Sequence, residues 1–412
     1  VVAFMFGAIA ASPVAAQIVP DTSLLENAIV APNGSTFVID GGTTAGTNLF
    51  HSFSEFSVPT GTEAAFNNAV SIDNIITRVT GGNISNIDGL IRASGSANLF
   101  LLNPNGIVFG ENAQLAIGGS FLGSTAESLQ FADGFEFSSL APEANPILTV
   151  SVPVGLQMGT NSGAIAVNNT GISDVVPTDN FGLSVNPGQI LALVGSNVNF
   201  SGGIVTVPSG RIEIGSVVDG EVGIVTTPVG IQLNYDNVNE FGNIQLLDRS
   251  SLFSPAVFDN PNSAIAVYGS NITLNGSQIV SLTDGTASSG DIVVNATESL
   301  GLGGTIATFP FSSWIVNQVA PGATGNSGEI HVSTPQLSIN NGGRIQTLSF
   351  GGGAAGNVTV NVPESIRLVG FAFPPDLSLD PSAIDPQTFL EQNTNSRISS
   401  ENFASGAGGN VS

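Results

Sequence analysis

The sequence predicts an all-β fold, a solenoid of stacked coils, and three observations predict it. Of 412 residues, 42% are hydrophobic, only 9% are charged and 51 are Gly. Leu, Ile, Val and Phe stand in short runs broken by Gly, Asn, Ser and Thr, the pattern of many short strands joined by turns. Finally, a unit repeats: the stretches starting at Gly290, Gly328 and Gly356 line up, and Gly409 begins a further copy. Apolar and polar residues alternate within each copy, which gives a strand one buried face. So small a unit cannot bury that face alone and must stack on its neighbours. A β-sandwich would account for the strands but not for the repeat. With coils of about 20 to 25 residues spaced ~4.8 Å apart, the chain allows on the order of 16 coils and roughly 75 Å, less what loops consume.

Taken in order, residues 1 to 16 have the features of the back half of a signal peptide. An apolar run is followed by Pro13 and the small residues Val14 and Ala16, which suits cleavage before Gln17. No basic n-region or initiating Met precedes it, so a truncated start is expected; a buried opening strand is the alternative. From Gln17 to about Pro153 short apolar runs are dense, among them Thr36 to Ile39, Asn74 to Val79 and Ile107 to Phe109. Residues 131 to 147, with Asp133, Gly134 and Pro142, read as an excursion. Strand-like runs return at Ile190 to Val194, Gly203 to Val207, Arg211 to Ile214 and Gly223 to Thr226. Asp248 to Asn262, with two prolines, reads as a boundary loop. The expected organisation is therefore a leader over 1–16, a core over 17–150, an extension over 151–250 and repeats over 251–412. The copy that begins at Gly409 is cut off at Ser412, so a longer natural protein is expected. Asn and Ser at turns are expected to stack as ladders along the column.

Seven basic against 31 acidic residues give a formal charge of −24, and all seven are Arg. Nucleic-acid binding needs clustered Lys and Arg, so the charge balance argues against that class and equally against docking to an anionic membrane. The opening apolar run is too short to span a bilayer, and no later one reaches 18 residues, so no stable membrane insertion is expected. There is no Cys, which removes disulfides, thiolate metal sites and a Cys nucleophile, and which suits a chain that crosses an oxidising periplasm unfolded.

The same scarcity argues against catalysis. His51 lies among aromatics and His331 in the middle of an alternating strand, so both read as structural or surface residues. No Gly-x-Ser-x-Gly elbow occurs, and without Lys there is no Schiff-base residue or P-loop lysine. A β-helical polysaccharide lyase or hydrolase would need converging carboxylates. Here Asp88, Glu111, Asp133, Glu136, Glu213, Asp291 and Glu364 are scattered singly. Arg92, Arg211, Arg344 and Arg367 read as solvated outward positions. Calcium-loop motifs are lacking too. The expectation is no catalytic residue, no metal and no cofactor.

One stretch stands out. In the run Leu99 to Gly110, two apolar segments flank Asn103, Pro104, Asn105, Gly106 and Ile107. Pro104 fixes φ, the two Asn side chains can bond to their local backbone, and Gly106 can take positive φ. The same region carries an aromatic block from Asn48 to Phe56, with Phe50, His51 and Phe53, and the run Gly118 to Ala126. Together these resemble the amino-terminal secretion domain of the filamentous haemagglutinin family, the exoproteins of bacterial two-partner secretion. The likeness is good over about 17 to 150 and weaker to about 250, and the tail is similar to repeats of the cyanobacterial members.

The resemblance implies a right-handed parallel β-helix with an amino-terminal cap. It also implies export across the periplasm and outer membrane of a Gram-negative-type bacterium, through a β-barrel partner whose POTRA domains recognise the secretion domain. Asn103, Pro104, Asn105, Gly106 and Ile107 would belong to the secretion determinant, with Asn48, Phe50, His51, Phe53 and Phe56 as a second family motif. The Asn-Pro-Asn-Leu motif that some members carry upstream does not occur before residue 103. Such exoproteins commonly serve as adhesins, with a cell-surface or polysaccharide ligand. A β-helical carbohydrate-active enzyme and a structural surface or matrix protein are the alternatives.

Overall fold

The computed structural model describes residues 17–168, 182–227, 230–256, 263–304, 312–370 and 395–412; the expected leader lies outside them. Every regular element among the described residues is a β-strand. The strands fall on three faces that the chain visits in a fixed order, so each circuit is one coil of a parallel β-helix. The first face stacks Leu49, Ile75, Leu99, Phe121, Leu191, Ile212, Ile265, Ile292, Ile330, Val358 and Val411 in parallel register. Ile87, Phe109, Val167, Phe200, Leu246, Leu274, Leu302 and Ile339 do the same on the second. The third runs from Thr36–Gly41 through Glu63–Phe66 and Leu90–Ala93, and later from Ser251–Ala256 to Arg397–Asn402. These inward residues are almost all fully buried and form one continuous core.

The first face passes through eleven described levels, ten steps that span roughly 50 Å at ~4.8 Å each. Sixteen coils were expected; the shortfall comes from insertions. Between Phe121 and Leu191 the chain leaves the helix, and again between Ile212 and Ile265. Both departures feed one antiparallel sheet, in the order Glu136–Ser138, Ser128–Phe131, Pro153–Met158, Arg211–Thr227, Gly230–Phe241. This sheet roofs the outer side of the first face. Phe50, Ile76, Phe100, Leu122 and Ala192 point out of the helix into a second core with Phe131, Phe137, Leu156, Met158, Val222 and Leu233. Residues 131 to 147 are thus an excursion as read, although Phe131 and Phe137 are themselves buried.

The open amino-terminal end is closed by antiparallel strands, which cannot propagate the parallel ladder. Ile18–Pro20 pairs with Asn48–Phe56, and Ala28–Asn33 pairs with Thr36–Gly41. At the other end the repeat keeps its register on the first face, where Ile292, Ile330, Val358 and Val411 coincide at the spacings of 38, 28 and 53 residues. On the second face Leu300 pairs with Leu337 rather than with Ser338. The corner at Thr334 and Pro335 is a residue shorter, and a slip of one would have turned every apolar side chain outward.

Two sequence readings need correction. Asp248 to Asn262 is not loop throughout: Asp248 and Arg249 turn with positive φ, and Ser251–Ala256 is then a fully buried strand. Arg344 is not a solvated outward residue. It is 1% exposed on the third face with its guanidinium over Trp314, and burial, then Arg397, lower its pKa to about 9.

The repeat's leading glycines have a steric cause. A Cβ on Gly328, Gly356 or Gly409 would lie 2.1–2.2 Å from the carbonyl oxygen of the equivalent Gly one coil below. Gly356→Ala in the full chain is expected to cost about 2–4 kcal/mol of unfolding free energy, read by chemical denaturation.

Candidate functional site

The pentad forms the corner between the first and second faces, where Asn98–Leu102 gives way to Ile107–Phe109. The Asn103 side chain is fully buried, although Asn is a polar residue, because every polar atom it carries is used. Its Nδ2 donates to the Asn83 carbonyl at 3.0 Å and the Ser85 hydroxyl at 2.9 Å, one coil back. Its Oδ1 accepts the Asn105 backbone N–H at 3.0 Å, which is the local turn bond expected of it. Its own N–H donates to Ser124, one coil ahead. Pro104 offers its carbonyl to Gly163, and Gly106 takes a φ of 129°, open to Gly alone. The corner thus ties three successive coils.

Asn105 behaves differently from the expectation of a local bond only. Its Nδ2 donates to the Gly81 carbonyl at 2.6 Å in the coil before, as well as to Asn103 Oδ1 at 3.0 Å. It is the one exposed residue of the five; Asn103, Pro104, Gly106 and Ile107 are buried.

The aromatic block is the strand Asn48–Phe56, the first coil of the first face. Asn48 starts an amide ladder: Asn74 donates to its Oδ1 and Asn98 to that of Asn74, each at 3.0 Å. Its own Nδ2 donates to the carbonyls of Thr149 and Ser151 at 3.2 and 2.8 Å. Phe50 points outward under the roof, 5.1 Å from Phe137 and 5.8 Å from Phe131. His51, Phe53 and Phe56 point inward with Phe66. His51 occupies the level where later coils carry Leu101, Leu193 and Ile214. Burial lowers its pKa to about 4, so it is neutral.

Next to this block lies a buried polar knot that sequence reasoning missed. Arg78, 1% exposed, donates to Ser52 and Ser23 hydroxyls at 2.9 Å each and to the Ser138 carbonyl at 2.6 Å, and stacks over Phe137. Asp21 accepts from Ser23, Ser52 and Thr80. Burial pushes the Asp21 carboxyl up, but these bonds outweigh it and hold it below its ordinary value. Burial lowers Arg78 to about 10, with Asp21 opposing, so it stays charged. The knot joins the cap, the first two coils and the excursion. A charged residue inside the apolar run Asn74 to Val79 was its one sequence signal.

The other described ion pairs lie apart from one another along the column. Glu213 is fully buried beneath the hairpin with Arg211 Nε 2.5 Å away, and burial raises its pKa against the pull of Arg211. Arg92 pairs with Glu63 on the surface, and His331 lies 3.2 Å from Glu329 on the exposed outer side of the first face. Among the described residues no three His, Asp or Glu side chains gather in metal-ligating geometry.

The described chain is thus a parallel β-helix with an antiparallel cap, a roof over its first coils and an Asn-Pro-Asn-Gly corner from which only Asn105 is exposed. The family model described as the TPS secretion domain matches residues 16–260, and the chain belongs to that family, as a two-partner secretion exoprotein of the filamentous haemagglutinin type. Among solved structures it is similar to the HMW1 secretion domain from Haemophilus influenzae, at 15% identity and a TM-score of 0.38, over 84% of this chain and 94% of that one. No protein with a curated description matches in sequence.

Two outcomes follow from the geometry. Asn103→Ala is expected to cost about 2–4 kcal/mol in urea unfolding, because it empties a buried site and strands the buried Ser85 hydroxyl, while Asn105→Ala costs about 1 kcal/mol or less. His51 has a folded pKa near 4, below its ordinary 6.5, so the unfolded chain takes the proton first. Stability should therefore fall as pH drops from about 6.5 to 4, by on the order of 3 kcal/mol from this group, and His51→Leu should remove that slope.

Proposed function

We propose that the amino-terminal part of the chain directs export through an outer-membrane β-barrel partner whose periplasmic POTRA domains receive it before it is folded. The observation that carries this reading is the family match over residues 16–260. On this reading residues 17–150 are the core of the secretion domain, 151–250 its extension, and 251–412 β-helical repeats of a stalk. The protein works as a non-enzymatic adhesin, released or held at the cell surface, with a cell-surface or polysaccharide ligand. Export needs no ATP, because each coil that stacks outside the pore resists sliding back.

The secretion determinant is Asn103 to Ile107, and we assign its residues two roles. Asn103 serves folding, through the bonds that close three coils. Asn105 is exposed, and its loss leaves the inner corner in place, so it reports recognition separately. In cells that produce the barrel, Asn105→Ala should reduce secreted protein at least tenfold while the purified variant unfolds like the parent. Export equal to the parent would reduce the pentad to a structural corner.

A further inference from the structure

Residues 139 to 153 expose several large apolar side chains. Leu140 is 59% exposed, Ile147 94%, Val150 71% and Val152 55%. Leu25, 72% exposed, belongs to the cap that Asn145 touches through the Ser23 carbonyl. Pro146 and Pro153 bound an extended stretch rich in β-branched residues that belongs to no sheet. It is held by side chains and one backbone bond: Asn48 donates to the Thr149 and Ser151 carbonyls, Thr149 donates to Asp133, and the Ala132 N–H donates to the Val152 carbonyl at 3.1 Å. The N–H groups of Ile147, Leu148 and Val150 meet no acceptor among the described residues.

Pro146 also lines a cleft of about 270 Å³ walled by Glu136, Ser138 and Glu143, with Phe135 and the buried Arg78. Unused backbone donors, exposed apolar side chains and an acidic cleft are therefore continuous. We propose that Ile147 to Val152 is a docking strand for an extended, basic protein segment. That segment adds alongside by main-chain hydrogen bonds, lays apolar side chains on Ile147 and Val150, and sends an Arg or Lys toward Glu136 and Glu143.

Charge selects this occupant. A second copy would bring another −24 to the same place, whereas a basic segment is attracted. The contrast with the roof's outer strand supports the choice. Gly230–Phe241 carries Asp236 and Glu240, and its pairing with Arg211–Thr227 is bulged at several points, devices that discourage edge pairing. From Ala144 to Pro153 there is no charge at all.

The test uses the full chain and two synthetic peptides with the same Val-Thr-Val-Thr-Val core, one flanked by Arg and one by Glu. Hydrogen exchange with the Arg-flanked peptide should slow at Ile147 to Val152 by at least tenfold, with the Glu-flanked peptide binding at least tenfold more weakly. Ile147→Lys, at a position 94% exposed, should weaken Arg-peptide binding at least tenfold with unchanged thermal unfolding, and Val150→Pro should match it. Exchange at these amides unaffected by millimolar Arg peptide would overturn the proposal. So would equal binding of both peptides, or protection that appears with protein concentration alone, which would make a second copy the occupant. Export is not among the readouts, so a failure here leaves the secretion reading untouched.

Discussion

Everything in this protein depends on the parallel backbone ladder, which sets equivalent residues of successive coils ~4.8 Å apart, one above the other. Side chains that repeat at that spacing must tolerate a copy of themselves, and the columns show what qualifies. Aliphatic and aromatic residues stack inward, while amides stack at corners, as Asn48, Asn74 and Asn98 do. Where backbones approach most closely only Gly fits, as at Gly328, Gly356 and Gly409. Unlike stacking of acids, alternation with amides avoids repulsion: Glu329 Oε1 accepts from Asn357, whose Oδ1 accepts the Asn410 N–H.

The roof adds a second dependence, long in sequence. Asn48 is completed by carbonyls at 149 and 151, Arg78 by Ser138, and Ser124 by the Val194 carbonyl. Early coils are therefore not finished until much later residues arrive. The outward side chains Phe50, Ile76 and Phe100 stay uncovered until the excursion and the hairpin settle over them. Non-local contacts of this kind slow folding.

The pentad shows how a motif can be conspicuous for two separable reasons. Its buried members answer to packing: a corner without Asn103 strands the buried Ser85 hydroxyl, and a side chain at Gly106 would be forced into a strained φ and toward Ala164 and Ile84. Only Asn105 presents a face that another molecule can reach in the folded state.

Alternation and repetition were local, so the sequence alone determined the strands, the solenoid, the stacking of Ile292, Ile330, Val358 and Val411, and the corner at Asn103 to Gly106. The continuous apolar runs at Leu99 to Leu102 and Ile190 to Val194 are strands buried on both sides. What covers them was settled only in three dimensions, because the roof comes from residues far along the chain. The same reason explains the buried charges. Arg78, Glu213 and Arg344 sit in strands whose alternation points them outward, and outward means solvent only where nothing folds back. Whether something does depends on the excursion, the hairpin and the third face meeting in space, which no local pattern encodes.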